Sequence, residues 1–226
     1  MIKGILFDFI GTTVVERDPT TINRCFKHAF EDHGVLIDDE LIRSGRGKDK
    51  MEMITDALIQ MHRPIKLTTP ILNSLKGHLE DSLDNFSENE GATETIDHIK
   101  KKGIAVGIGT GLPRDIFEKI FHHLKWSFHQ FDYIGIAEEV GKGRPNPDMI
   151  LDMLKKWNLH PSQFLKVGDT VADIQEGKNA KVMTAAILSG TQSEKEITLQ
   201  RPDFIIHSLR QLEDLVNTEQ MPPIRK

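Results

Sequence analysis

The chain has 226 residues and a formal net charge of −5 at pH 7, from 29 Lys and Arg against 34 Asp and Glu. No segment carries a strong basic excess, so we expect small-molecule partners and neither nucleic acid nor a membrane surface. No apolar run approaches the roughly 20 residues of a membrane-spanning helix, which predicts a cytoplasmic location. The single cysteine, Cys25, excludes an internal disulfide. The sequence leaves the oligomeric state open between a monomer and a homodimer.

The first predicted strand ends in a carboxylate. Residues 2–13 read IKGILFDFIGTT, so an apolar run leads directly into Asp8 and then into a Gly-Thr turn. In open α/β sheets, ligands bind outside the carboxyl ends of the strands. Asp8 therefore stands where a nucleophile or a metal ligand would act, although an aspartate that only caps the following turn would give the same pattern.

Residues 15–88 have helical periodicity and contain no strand candidate. Apolar residues recur at helical spacing over 22–30, 41–42, 51–61 and, after Pro70, over 71–86. The sequence thus predicts an all-helical domain of residues 15–88, inserted directly after the first strand.

From Gly91 onward, helices and strands alternate. Helical patterns cover 91–102, 113–124, 147–157, 171–180 and 209–216, and strand patterns cover 104–109, 133–136, 164–167, 182–188 and 204–206. This alternation predicts an α/β fold in which helices cover both faces of a doubly wound parallel sheet. The predicted core domain is residues 1–14 and 89–216, and residues 217–226 form a C-terminal tail.

Polar clusters follow the later strands as well. They contain a hydroxyl and a glycine (Thr110, Gly111), two cations (Lys142, Arg144) and two further carboxylates (Asp169, Asp173). Because the carboxyl ends of parallel strands meet at one edge, we expect these groups to surround one crevice together with Asp8. Close carboxylates repel unless a cation neutralises them, and hard oxygen ligands suit Mg²⁺. A hydroxyl, a cation and a metal ion are what a phosphoryl or phosphonyl group with developing negative charge requires.

This ordered set of motifs resembles the haloacid dehalogenase superfamily over nearly the whole chain, and the helical insertion resembles that superfamily's small cap. The resemblance implies that Asp8 is the nucleophile, that Thr110 hydrogen-bonds the transferring group and that Arg144 neutralises it. It also implies that Asp8, Asp169 and the backbone carbonyl of Ile10 hold Mg²⁺, with Asp173 as a further carboxylate. The remaining phosphoryl-binding positions would be Gly11, Thr12, Gly111 and Lys142.

The chain departs from the superfamily's phosphatases at Ile10, where they have a second aspartate that protonates the leaving alkoxide. Isoleucine cannot transfer a proton, and a missing general acid costs about 10²- to 10⁴-fold in rate. Two branches tolerate the loss: the 2-haloacid dehalogenases and the phosphonoacetaldehyde hydrolases, or phosphonatases. The runs Gly168-Asp169-Thr170 and Gly-Arg-Pro-x-Pro at 143–147 resemble the phosphonatases.

In the predicted cap, residues 47–54 (GKDKMEMI) are similar to the phosphonatase segment that carries a Schiff-base lysine, and Lys50 falls on that lysine. An iminium would accept the electrons of a breaking P–C bond, so no alkoxide would need protonation. Burial and the neighbouring cations Arg46 and Lys48 would lower the pKa of Lys50 toward neutrality. The family's histidine is replaced by Met53, and its cysteine has no match, with Asp18 near that position.

The sequence therefore indicates a Mg²⁺-dependent, phosphonatase-like hydrolase that acts on a small phosphonylated or phosphorylated carbonyl compound through an aspartyl-phosphate. Three alternatives stay open: a superfamily phosphatase of low or narrow activity on phosphate esters, a 2-haloacid dehalogenase, and a non-catalytic protein that binds a phosphoryl ligand.

Overall fold

The computed structural model describes residues 1–190 and 192–217, so the predicted tail lies outside the described residues except for Asn217. In chain order the elements are β1 (Gly4–Asp8), β2 (Val14–Glu16), α1 (Thr21–Glu31), α2 (Asp39–Ser44), α3 (Lys50–Gln60), α4 (Thr68–Glu80), β3 (Phe86–Glu88), α5 (Ala92–Lys101), β4 (Ala105–Thr110), α6 (Arg114–His123), β5 (Tyr133–Ile136), α7 (Ala137–Val140), α8 (Asp148–Trp157), β6 (Phe164–Gly168), α9 (Val171–Asn179), β7 (Met183–Ile187), α10 (Glu194–Leu199), β8 (Phe204–Ile206) and α11 (Gln211–Asn217).

Six parallel strands form one sheet in the order β5-β4-β1-β6-β7-β8. The chain adds β4 and β5 on one side of β1 and then returns to add β6, β7 and β8 on the other, so the strand order reverses between β1 and β6. Ligands of open α/β sheets bind at such a reversal, beyond the carboxyl ends of the strands. Asp8 ends β1 at this point, beside Gly109 of β4. The predicted doubly wound α/β fold is confirmed.

Alternate residues of β1 pack on opposite faces of the sheet. Ile5 and Phe7 belong to the hydrophobic cluster that includes residues of α5 and α6, whereas Leu6 packs with residues of α8. All five residues of β1 are buried, as expected for a parallel strand covered on both faces. This packing fixes the central strand and therefore the position of Asp8 at its end.

The residues between β2 and β3 form a helical cap over the carboxyl edge of the sheet. Its helices α1, α3 and α4 enclose an apolar interior that includes Phe26, Leu58 and Leu75. Strands β2 and β3 pair antiparallel, with Val15 opposite Ser87, so the two chain passages that join the cap to the core run side by side.

Some details differ from the prediction. The expectation that residues 15–88 contain no strand is wrong at both ends, where β2 and β3 pair. The fourth predicted helix ends at Glu80 and does not reach Phe86, because Phe86 is buried as a residue of β3. The short helices α7 and α10 are absent from the predicted elements.

The boundaries of the two domains stay predictions, as do the oligomeric state and the cytoplasmic location. Among the described residues, none of the helices combines the length and the apolarity that crossing a membrane requires.

Candidate functional site

A small cavity lies where the amino-terminal end of α3 meets the carboxyl edge of the sheet. It encloses about 30 Å³, which is room for about two water molecules. The core contributes Asp8, Ile10, Thr110, Gly111, Leu112, Arg144 and Thr170 to its lining, and the cap contributes Ile22, Arg46, Gly47 and Lys50. The structure therefore brings Asp8, Thr110, Arg144 and Lys50 together, as the sequence predicts.

Glycines allow the cap and the core to approach closely beside this cavity. The backbone N–H of Lys50 donates to the carbonyl oxygen of Gly111 at 3.1 Å. A Cβ atom at Gly111 would collide with the carbonyl oxygen of Lys48, and one at Gly47 would collide with the Thr170 hydroxyl. The sequence predicts Gly111 as a phosphoryl-binding position, and the structure adds that its missing side chain makes room for the cap.

Asp8 lies against a buried guanidinium. Nη1 of Arg144 is 2.6 Å from Oδ1 of Asp8 and also donates to the carbonyl oxygen of Gly47 at 3.1 Å. Burial raises the pKa of Asp8, and the charge of Arg144 acts in the opposite direction. Thr110 stands beside them, and its Oγ1 accepts the backbone N–H of Leu112 at 3.0 Å. Asp8 and the guanidinium that would neutralise a phosphoryl group thus share one side of the cavity.

Asp169 follows β6 and is held between two backbone segments. The Thr12 hydroxyl donates to its Oδ1 at 3.0 Å. A Cβ atom at Gly11, where φ is +99°, or at Gly190 would collide with the Asp169 carboxylate. Gly11 and Thr12, predicted to bind the phosphoryl group, therefore contact Asp169 here. Burial raises the pKa of Asp169 well above its ordinary value, and the neighbouring Asp8 and Asp173 raise it further.

Asp173 forms ion pairs and hydrogen bonds with neighbouring residues of the core. Its Oδ1 is 2.8 Å from Nζ of Lys166 and 3.2 Å from Nη1 of Arg144, and its Oδ2 accepts the backbone N–H of Thr170 at 3.1 Å. Burial acts to raise the pKa of Asp173, but Lys166 and Arg144 lower it overall.

The donor set fits a cation. Asp8, Asp169 and Asp173 each place one carboxylate oxygen within 4.8 Å of the others. The pKa of Asp169 is raised first by burial and then by its neighbours Asp8 and Asp173, and a metal ion would supply charge that offsets both effects. Because both oxygens of Asp173 already have partners, Asp8 and Asp169 are the better candidates for ligands, and Asp173 holds Arg144 and Lys166.

Two charged residues of this site, Lys166 and Glu176, are absent from the predicted set. Lys166 is fully buried in β6 and lies 2.8 Å from Asp173 and 3.4 Å from Glu176. Glu176 also pairs with Nε of Arg144 at 3.2 Å. The sequence contains two signals for these residues: a lysine within an apolar strand, and a glutamate three residues after Asp173 on α9. These ion pairs fix the position of Arg144.

Lys50 is buried at the first turn of α3, with 7% of its surface exposed. Its Nζ donates to the carbonyl oxygen of Lys48 at 2.8 Å. Burial lowers the pKa of Lys50 to about 8, and Arg46 and Arg144 contribute to this shift. Lys48, predicted as a contributing cation, instead directs its ammonium to Asp56 at 3.5 Å. Arg144 takes the place predicted for Lys48.

Lys142 is not brought into the cavity. Its side chain is exposed, and its backbone N–H donates to the Asp148 carboxylate at 3.0 Å, which fixes the turn before Arg144. The prediction that Lys142 binds the phosphoryl group is therefore not supported by its position.

Comparisons with known proteins agree with this geometry. Residues 5–187 match the family model described as haloacid dehalogenase-like hydrolase. The chain is 26% identical over 215 residues to phosphonoacetaldehyde hydrolase of Bacillus cytotoxicus, covering 87% of this chain and 81% of that protein. It is 29% identical over 204 residues to phosphonoacetaldehyde hydrolase of Bacteroides fragilis, covering 84% and 77%.

Solved structures give the same fold. A hydrolase from Pseudomonas syringae superposes with a TM-score of 0.85 at 18% identity, covering 96% of this chain and 100% of that one. The β-phosphoglucomutase of Clostridium difficile superposes with a TM-score of 0.76 at 18% identity, covering 94% and 93%.

Proposed function

The chain belongs to the haloacid dehalogenase-like hydrolases, and from this membership we propose that it is a phosphonatase-like enzyme acting on a small phosphonylated or phosphorylated carbonyl compound. One observation carries the proposal: the Asp8 carboxylate and the Lys50 amine line the same cavity. A carboxylate can attack phosphorus, and an amine can condense with a carbonyl carbon. The two nucleophiles would thus act on one substrate, at phosphorus and at a carbonyl carbon that is separated from phosphorus by one carbon atom.

The steps follow from these two groups. The neutral amine of Lys50 attacks the substrate carbonyl, and the adduct takes up one proton from solvent and loses water, which leaves an iminium. Asp8 attacks phosphorus, the P–C bond breaks, and its electron pair passes to the iminium to form an enamine. The enamine takes up a proton on carbon, and hydrolysis of the resulting iminium releases the carbonyl product and frees Lys50. Water then cleaves the aspartyl-phosphate and releases inorganic phosphate.

This sequence of steps is compatible with Ile10. The departing group is an enamine carbon, so no alkoxide has to be protonated by the residue at position 10. Ile10 lines the cavity and contributes an apolar surface there. A site that cleaves a P–C bond can therefore have isoleucine at position 10, where the superfamily's phosphatases have an aspartate.

Buried charges would assist the transfer of the phosphoryl group. Arg144 is already 2.6 Å from Asp8 and is fixed by Asp173 and Glu176, so it can neutralise phosphoryl oxygens with little rearrangement. Mg²⁺ would be held by Asp8, Asp169 and the backbone carbonyl of Ile10. When bound, the ion offsets the negative charge of the phosphoryl oxygens and of these carboxylates.

Substrate entry requires the cap to move. The cavity of about 30 Å³ is too small for a phosphonate group and a carbonyl chain. The contacts that close it include the Lys50 N–H on the Gly111 carbonyl oxygen and the Arg144 guanidinium on the Gly47 carbonyl oxygen. We infer that the cap opens to admit the substrate and closes to bring Lys50 over Asp8.

The test combines a substrate screen with chemical trapping. Phosphonoacetaldehyde, phosphate esters and 2-haloacids are offered with and without Mg²⁺, and borohydride is added during turnover. We expect phosphonoacetaldehyde to be cleaved and a reduced adduct to form on the peptide containing Lys50. Lys50→Arg should lose both, while Lys48→Arg, two residues away, should retain both.

Other outcomes identify the alternatives. Hydrolysis of phosphate esters that is unaffected by borohydride would identify a phosphatase, and halide release without Mg²⁺ would identify a dehalogenase. Binding of phosphonates without any turnover would identify a non-catalytic binding protein. P–C cleavage that survives in Lys50→Arg would refute the role of Lys50.

A further inference from the structure

Arg46 is a buried cation of the cavity that the steps above do not use. Only 6% of its surface is exposed, and it lines the cavity together with Lys50 and Asp8. It lies between α2 and α3 and therefore belongs to the cap. Its charge is close enough to lower the pKa of both Lys50 and Asp169, after the larger effects of burial.

One half of the Arg46 guanidinium is held and the other half has no partner. Nη2 donates to Oε1 of Glu16 at 2.5 Å, and the other oxygen of Glu16 accepts the backbone N–H of Ile22 at 2.8 Å. Nη1 is buried and has no hydrogen-bond partner among the described residues. Buried guanidinium donors are rarely left unpaired, so these N–H groups indicate a ligand contact.

We propose that Arg46 binds a second anionic group of the substrate, a carboxylate attached to the carbonyl carbon. The inference rests on the proposed function for the position of the reacting groups. Asp8, Thr110 and Arg144 lie on the core and would take the phosphorus end. Arg46 and Lys50 lie on the cap, so the group that Arg46 binds is adjacent to the carbonyl that Lys50 attacks.

The chemistry of the site favours a carboxylate. A guanidinium forms directed, charge-assisted hydrogen bonds with a carboxylate. Because Glu16 holds Nη2, the free Nη1 is oriented before the substrate arrives, which reduces the entropy lost on binding. The predicted substrate class is therefore a phosphonylated or phosphorylated 2-oxo acid.

Binding of two non-hydrolysable probes tests the proposal without turnover. In 3-phosphonopropanoate the carboxylate is attached to the carbon that takes the place of the substrate's carbonyl carbon, and propylphosphonate carries a methyl group there. Calorimetric titration in Mg²⁺ buffer should give a Kd for 3-phosphonopropanoate roughly 10- to 100-fold lower than that for propylphosphonate, the range of one charge-assisted hydrogen-bonded contact.

The matched variants are Arg46→Lys and Lys48→Met. Arg46→Lys keeps a charge for Glu16 but has one terminal nitrogen where arginine has both Nη1 and Nη2, so the Kd ratio should fall below about 3. Lys48→Met removes a cation two residues away that pairs with Asp56 outside the cavity, and the ratio should stay as in the wild type. If Arg46→Lys does not fold, Arg46→Gln, whose amide can still donate to Glu16, takes its place.

Several results would overturn the proposal. They are equal Kd values for the two probes in the wild type, no measurable binding of 3-phosphonopropanoate, an unchanged ratio in Arg46→Lys, or a ratio that collapses in Lys50→Met but not in Arg46→Lys. A preserved preference together with no cleavage of either phosphonoacetaldehyde or 3-phosphono-2-oxopropanoate would instead refute the proposed P–C cleavage and leave the assignment of Arg46 standing.

Discussion

Burial of a charged amine under the cap should make the wild-type protein less stable than a variant without that charge. Lys50 is 7% exposed, and its pKa falls from an ordinary 10.5 to about 8, which corresponds to about 3 kcal/mol of unfavourable free energy for the protonated form. Lys50→Met keeps a long side chain and removes the charge. At pH 7 we therefore expect Lys50→Met to raise the free energy of unfolding by up to about 3 kcal/mol. When the cap opens, water reaches the ammonium and the free-energy cost of its burial falls, so this value is an upper bound.

The effect has a defined pH dependence. Because the pKa of Lys50 is lower in the folded state, the unfolded chain binds the proton more tightly, and the wild type gains stability as pH rises from about 8 to about 10.5. The variant lacks this titration. The difference in free energy of unfolding between Lys50→Met and the wild type should therefore shrink by between about 2 and 3 kcal/mol from pH 7 to pH 10.

Urea denaturation of both proteins at pH 7, 8, 9 and 10 measures this difference. The control is Lys48→Met, whose ammonium is one-third exposed and pairs with Asp56, and whose difference from the wild type should not change over this range. If the difference in free energy of unfolding between Lys50→Met and the wild type is constant with pH, the Lys50 ammonium is not destabilised by burial. The proposed nucleophilicity of its amine would then have no physical basis.

Three further predictions concern the metal, the missing acid and the cap. Asp169→Ala should remove the thermal stabilisation that Mg²⁺ gives the wild type, and an unchanged melting shift would exclude Asp169 as a ligand. If the site is a phosphatase that lacks only its general acid, Ile10→Asp should raise phosphate-ester hydrolysis by part of the general-acid factor of about 10² to 10⁴. On our proposal, assays of this variant with phosphate esters show no gain in rate. Gly111→Ala places a Cβ atom against the carbonyl oxygen of Lys48 and should lower kcat/KM by roughly 10²-fold through misplaced cap closure. Its control is Gly77→Ala, where a Cβ atom meets nothing within 4 Å, and equal losses in both variants would contradict this account.

Much of the fold is visible in the sequence because its main signals are local. The strands Tyr133–Ile136 and Phe204–Ile206 match their predicted bounds, since each is a short apolar run between turn residues. The pair of Val14–Glu16 and Phe86–Glu88 was not predictable in this way, because each has three residues and forms only by pairing across the whole cap. The helix Glu194–Leu199 had a local signal, the Ser193 and Glu196 capping box, which the apolar pattern alone did not reveal.

The residues of the candidate site also differ in whether a local sequence signal marks them. Asp8 and Asp169 were predictable because a carboxylate directly after an apolar strand lies at the carboxyl edge of a parallel sheet. The partner of Arg46 was not, since Glu16 is thirty positions away and meets it only when the cap folds. Lys142 shows the opposite case: its place in the motif predicts a phosphoryl contact, and the turn on Asp148 leaves its side chain exposed, so its position does not support that prediction.

The balance of buried charge shows how this carboxylate cluster could hold a metal ion. Two cations and two carboxylates neutralise one another beneath the cavity, namely Arg144, Lys166, Asp173 and Glu176. Asp8 shares Arg144 with that group, and Asp169 has the Thr12 hydroxyl as its hydrogen-bond donor, so two carboxylates lie beyond the balanced set. Their combined charge is −2, and the Lys50 ammonium, which lines the same cavity as Asp8, offsets part of it at pH 7. Buried carboxylates without compensation would take up protons instead, and a protonated Asp8 could not attack phosphorus. On the proposed function, metal binding and the nucleophilicity of Asp8 would therefore depend on the same charge.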